Sequence, residues 1–160
     1  MNDPQATGVG VVGLGNMGAA IAKRLVAWPG GLAVHDLDPL AVAPLVEDGA
    51  RNAADLRDLA ATSRVISVVV LTDQQVRDVV GALIEVAAPG TVIAIHSTID
   101  VGTAPELAAA AAAHDVAVLD VALTGGPAGA AEGQLVAMVG GDRDAYERAK
   151  PVFESWASLR

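Results

Sequence analysis

Apolar residues follow two alternating rhythms along the chain. Short β-branched runs are separated by longer stretches with helical spacing. Val9 to Val12 reads as a strand, followed by a helix from Asn16 to Ala27 that Trp28-Pro29-Gly30-Gly31 ends. Leu32 to Val34 is a second strand, with a helix near Pro39 to Glu47. A short helix around Ala53 to Ala61 leads to Val65–Leu71, the clearest buried strand. Thr72 to Ala87 is helical, and Pro89-Gly90 turns the chain into a strand over Thr91 to Ile95. Thr103 to His114 is helical and Val116 to Val121 extended. Leu135 to Val139 is another strand, stopped by Gly140-Gly141, and Asp142 to Trp156 forms a last helix.

Strands alternating with helices imply parallel strands joined by helical crossovers. A strand buried on both faces reads as a continuous apolar run, as 65–71 does. The expected fold is α/β: a doubly wound, mostly parallel sheet with helices on both faces. Two helix starts, Thr72 to Gln75 and Thr103 to Glu106, have capping-box spacing, with a hydroxyl and an acid or amide three residues on. Asp38 before Pro39 reads as a further cap.

Composition removes several classes. The 160 residues suit one domain, 1–160. The 52% of apolar residues can supply a core. There is no Cys, which excludes a disulfide scaffold, a thiolate metal site and a Cys nucleophile. His35, His96 and His114 are scattered without metal-ligand spacing, so no metal is expected. His96, next to Ser97, is left between a core residue and a cofactor contact. Acidic residues outnumber basic ones 19 to 10, and the basic ones are dispersed, so no nucleic-acid partner is expected. No apolar run approaches the ~20 residues that cross a bilayer, and no membrane partner is expected. Met1 to Thr7 lacks the features of a signal peptide. The expected location is cytoplasmic.

Gly13-Leu14-Gly15-Asn16-Met17-Gly18 fits G-x-G-x-x-G, which alone is a weak pattern in a chain with 17 glycines. Its place between the first strand and the first helix strengthens it. There Gly13 makes the tight turn, Gly15 admits a pyrophosphate, and Gly18 lets helix and strand pack closely. The helix start offers free N–H groups and partial positive charge to phosphates. Asp36 ends the second strand 18 residues beyond Gly18, where a carboxylate binds the adenosine ribose. That carboxylate repels a 2′-phosphate, and Leu37, Asp38 and Pro39 follow it rather than Arg. A Rossmann-type site for NAD, with NADP disfavoured, is the expectation; a solvated strand end is the bland alternative for Asp36.

Four stretches, in order, resemble the β-hydroxyacid dehydrogenases. That family includes 3-hydroxyisobutyrate, tartronate semialdehyde and 6-phosphogluconate dehydrogenases and, more distantly, imine reductases. The stretches are residues 13–18, Ser97 to Asp100, Asp120 to Gly126, and Leu135 to Gly141 with Ala149-Lys150-Pro151. The family usually has Asp-Ala-Pro-Val-Ser-Gly-Gly in the third, where this chain has Asp-Val-Ala-Leu-Thr-Gly-Gly. The resemblance implies that Leu71 and Thr72 line the cofactor, although the family often has Pro at Thr72. It implies that Gln75 lies near the adenosine and that Thr98 reaches the nicotinamide ribose. It assigns Ser97, Thr124, Gly125 and Gly126 to a small carboxylate substrate, a 3-hydroxyisobutyrate-like 3-hydroxy acid. A hydroxyl beside free backbone N–H groups suits that anion. Thr124, where Ser is usual, keeps the hydroxyl and adds a methyl group.

Hydride transfer at a hydroxyl carbon needs an acid/base group. In the family this is a lysine on a long helix leading to an all-helical second domain. No stretch of this chain matches that helix, and Lys150 does not correspond to the lysine. The expectation is therefore a cofactor-binding half with no catalytic residue of its own, ending at Ser155 to Arg160 where a last short strand would begin. It would bind dinucleotide without turnover, and homo-oligomers could form through apolar surface left uncovered. The alternatives are a stand-alone NAD-binding sensor or interaction module, or the cofactor domain of an NADPH-dependent imine reductase or 6-phosphogluconate dehydrogenase-like enzyme.

Overall fold

Alternation along the chain becomes layering in space. The computed structural model describes residues 7–159, so the signal-peptide reading falls, but for Thr7, outside the described residues. The elements run β1 (Val9–Val12), α1 (Asn16–Leu25), β2 (Leu32–His35), α2 (Pro39–Glu47), β3 (Arg51–Asn52), α3 (Leu56–Thr62), β4 (Val65–Val68) and α4 (Asp73–Val86). They continue with β5 (Val92–Ile95), α5 (Thr103–Ala112), β6 (Ala117–Thr124), α6 (Gly126–Glu132), β7 (Leu135–Gly140), α7 (Arg143–Glu154) and β8 (Ala157–Leu159). The sheet order is β3-β2-β1-β4-β5-β6-β7-β8. Neighbouring strands are parallel except β6 and β7. This is the Rossmann-type α/β architecture that the hydrophobic pattern predicts.

β1, β4 and β5 are buried on both faces, which is why they read as unbroken apolar runs. Val9, Val11, Leu119 and Val121 pack with Ile21, Leu25 and Phe153 on one side. Ile66, Val68, Ile93 and Ile95 pack with Val76, Val80 and Leu83 on the other. The sheet thus separates two apolar layers. The chain moves outward from β1 in one direction to β3 and in the other from β4 to β8. The crevice at the carboxyl ends of β1 and β4 is therefore the place where an open α/β sheet receives ligands.

Several local expectations are corrected. The apolar run 65–71 is not all strand: β4 stops at Val68, and Val69 to Leu71 bend away over the glycine turn. β3 was not foreseen, being two exposed residues at the sheet edge. The Thr-Gly-Gly-Pro stretch, which carries no helical hydrophobic period, opens α6, with Pro127 in its first turn and Gly133 in a left-handed cap. α6 has seven residues, about 10 Å at helical rise, too short to carry the chain back along the sheet. β7 therefore runs antiparallel to β6. The last strand, expected to begin where the chain stops, is formed: β8 pairs parallel with β7, Leu135 against Ala157. The capping box at Thr72 is complete. The one at Thr103 is not, because Gly102 takes the cap position and Thr103 turns to α4.

Candidate functional site

The turn from β1 into α1 assigns a different neighbour to each of its glycines. Gly13 has φ +90°, and a Cβ there would overlap the Val69 carbonyl. A Cβ at Gly18 would overlap the Gly13 carbonyl, so helix and turn meet only because neither carries a side chain. Gly15 is different: a Cβ there would meet no protein atom within 4 Å. Its bare face opens outward at the start of a ten-residue helix with no acidic residue in its first turn. First-turn amides have no acceptor within a helix, so they can face an anion.

A cleft of about 500 Å³ lies beside this turn, between the ends of β1, β2 and β4. Its polar edge is His35, Asp36, Gln75 and Asp78, and its apolar walls include Leu37, Leu56 and Leu71. Leu37 and Leu71 are 94% and 90% exposed, large apolar surface that no described residue covers. Among the described residues, no Lys or Arg lines the cleft. Asp36 reaches across the turn: Leu14 N–H donates to its Oδ2 at 2.6 Å, and Asp38 N–H to its Oδ1 at 2.8 Å. The carboxylate thus shapes the turn while facing the cleft. On the opposite wall the amide of Gln75 is held by its own helix start. Leu71 and Thr72 N–H groups donate to Gln75 Oε1 at 2.9 and 3.1 Å.

The structure gathers Gly13, Gly15, Asp36, Leu71 and Gln75 around the cleft. Asn16 is exposed beside Gly15, and Met17 packs partly against the core behind the turn. Thr72 caps α4 at the cleft's edge. Leu14 has a buried side chain, and its N–H is committed to Asp36. Ser97 also bonds within the protein. Its hydroxyl donates to Val70 O at 2.7 Å and accepts from Val70 N–H at 3.0 Å, so its one proton is used inside the protein. His96 is a core residue. It contacts Ser67 Oγ at 3.0 Å through Nε2 and stands edge-on to Phe153 and Trp156, and burial pushes its pKa down to about 4.

Thr98, Thr124, Gly125 and Gly126 are exposed and outside the cleft, at the ends of β5 and β6. At the usual strand spacing the end of β6 lies about 14 Å along the sheet edge from that of β1. An extended two-part ligand could span that distance. Leu37, Leu56, Val79 and Asp78 also line the cleft and were not singled out from sequence. For Leu37 a signal existed, an isolated apolar residue between two aspartates in a turn. The group that fits this arrangement is a dinucleotide. It has a pyrophosphate for the bare Gly15 face, a ribose for Asp36, and an adenine for the walls of Leu37 and Leu71.

Comparison with known proteins agrees with that fit. Residues 8–159 match the family described as the NAD binding domain of 6-phosphogluconate dehydrogenase. An uncharacterized oxidoreductase of Mycobacterium tuberculosis is 46% identical over 159 residues, 98% of this chain and 54% of its own length. An NAD-dependent L-serine dehydrogenase of Pseudomonas aeruginosa is 39% identical over 150 residues, 92% of this chain and 50% of its own. The solved structure of Mycobacterium tuberculosis 3-hydroxyisobutyrate dehydrogenase with L-serine superposes at TM-score 0.91 with 32% identity, over 96% of this chain and 53% of that one. The chain spans about half the length of the curated relatives it matches.

Proposed function

From the premise that this chain belongs to the family of 6-phosphogluconate dehydrogenase NAD-binding domains, we propose that it is the cofactor-binding half of a dehydrogenase acting on a small 3-hydroxy acid. The observation that carries the reading is the bare face of Gly15 set between the start of α1 and the Asp36 cleft. A nicotinamide dinucleotide supplies or accepts the hydride when bound. The chain's own residues bind and orient it. Gly15 and the first amides of α1 face the pyrophosphate. Asp36 accepts from the ribose hydroxyls with the lone pairs that Leu14 and Asp38 leave free. Thr98 meets the nicotinamide half, and Thr124 with the amides of Gly125 and Gly126 receives the substrate carboxylate. The second carboxylate of the cleft, Asp78, and the lack of a lining Lys or Arg among the described residues favour NAD over NADP.

Relatives named for L-serine and for 3-hydroxyisobutyrate support a compact hydroxy acid as substrate. The chain's two lysines do not serve as its proton donor and acceptor. Lys23 is in the last turn of α1, away from the bound end of that helix, and Lys150 contacts Glu154 on α7 at 3.9 Å. The 160-residue chain then binds dinucleotide and performs no oxidation by itself. The test is to supply the chain with NAD and either 3-hydroxyisobutyrate or L-serine and follow NADH absorbance. A flat trace is expected, and robust turnover would overturn the reading.

A further inference from the structure

Two loops meet at the carboxyl edge of the sheet: 69–72 after β4, which lines the cleft, and 96–102 after β5, which carries Thr98. Ser97 ties the second loop to the first at its start, through both polar groups of Val70. Asp73, the first residue of α4, ties it at its end. Asp73 Oδ1 accepts from the Asp100 N–H at 3.1 Å and from the hydroxyl of Thr103, the first residue of α5. Asp73 Oδ2 accepts from Arg77 Nε at 2.8 Å, one helical turn on. Arg77 then reaches over to α5. Its Nη2 donates to Thr103 Oγ1 at 2.8 Å and its Nη1 to Glu106 Oε2 at 2.6 Å.

Of these five bonds from two side chains, four leave α4 and end on the neighbouring loop or helix. A cap for α4 alone would need none of them, since Thr72 and Gln75 already complete its capping box. Thr103 is fully buried, which fixes the point where the clamp closes. The bonds from Thr103 and Arg77 also hold the Asp73 carboxyl below the usual carboxylate range, so it remains charged through neutral pH. Between the two ties stand Thr98 and Ile99, with Thr98 exposed.

We propose that Asp73, with Arg77 behind it, is the positioning residue that sets the Thr98 loop for the nicotinamide half of the dinucleotide. The proposal rests on the function proposed above. Its physical basis is preorganisation: a loop fixed before binding adds no ordering cost to the complex. Freeing a single residue corresponds to about tenfold in an equilibrium constant. The adenosine half touches the cleft and α1, not this loop, so the cost falls on one end of the ligand.

Calorimetric titration with ADP and with NADH separates the two ends. In Asp73→Ala, ADP affinity stays within about twofold of the unmodified chain, while NADH weakens about five- to tenfold. Asp73→Asn, whose amide oxygen can still accept from Asp100 and Thr103, recovers part of the NADH affinity. Arg77→Met shows the same split to a smaller degree, should Asp73→Ala not fold. Lys150→Ala, on the far helix, changes neither. Parallel loss of ADP and NADH binding would reduce the clamp to a structural brace and overturn the proposal, as would unchanged NADH affinity. An unmodified chain that binds ADP but gains nothing from the nicotinamide half overturns the clamp and leaves the adenosine site standing. A chain that binds neither ligand overturns the proposed function and the clamp together.

Discussion

Three glycines in one turn meet three different surroundings, and each has its own consequence. At Gly18 an added methyl group collides with the Gly13 carbonyl, so Gly18→Ala should destabilise the fold by about 1–3 kcal/mol or more. At Gly15 the same methyl enters open space and φ is −66°, which alanine accepts. Gly15→Ala should melt within a degree or two of the unmodified chain yet lose about tenfold or more in NADH affinity. Equal effects of the two variants on melting would contradict the assignment. His96 yields a residue-scale prediction of another kind. Burial lowers its folded pKa to about 4, against an unfolded value of about 6.5. Between those values the unfolded chain binds the proton and the folded chain does not. Stability is therefore complete above about pH 6.5 and declines as pH falls toward 4, with a limiting slope of about 1.4 kcal/mol per pH unit. Urea unfolding from pH 7 to pH 4.5 should show that decline, and His96→Gln should flatten it. An unchanged slope in the variant would remove His96 as its source.

Each element does local work and presents something to the site. α4 is the clearest case: its capping box orients the Gln75 amide at the cleft, and its first turn holds the loop after β5. Thr72→Ala should lower unfolding stability by about 1 kcal/mol, the usual loss for a cap, and denaturant titration measures it directly. No change would mean that the cap is idle. The elements that formed as the hydrophobic pattern predicts are those whose sequence has one task. β1 and β5 are all core, and so was their pattern. β4 was over-read because Val69, Val70 and Leu71 continue its apolar run for a different purpose, as walls of the cleft. α6, built from Gly, Pro and Ala with one Glu, has no hydrophobic period; the helix is visible only if Pro127 and Gly133 are taken as its start and stop. Thr103 has the spacing of a cap, but its hydroxyl is drawn to Asp73 and Arg77, a contact between residues about thirty positions apart that no local pattern contains.

At the scale of the molecule, the order of strands carries the site. With β1 at the point where the chain's winding reverses, the glycine turn, Asp36 and the loop after β4 must converge, and the fingerprint spacing was enough to foresee it. The sequence could not show how the remaining polar groups would be shared. Ser97 bonds from the loop after β5 to the loop after β4, and the Leu14 amide bonds from the glycine turn to Asp36. The proposed substrate end is less built than the proposed cofactor end: Thr124, Gly125 and Gly126 stand exposed at the edge of the sheet. The cleft leads to the expectation that the chain binds a dinucleotide, and NAD in preference to NADP. Fluorescence titration of the 160-residue chain with NADH and with NADPH tests it most directly. Saturable binding of NADH at one site per chain is expected, with NADPH weaker because its 2′-phosphate meets Asp36 and, among the described residues, no compensating cation. Tighter binding of NADPH, or no saturable binding of either, would contradict it.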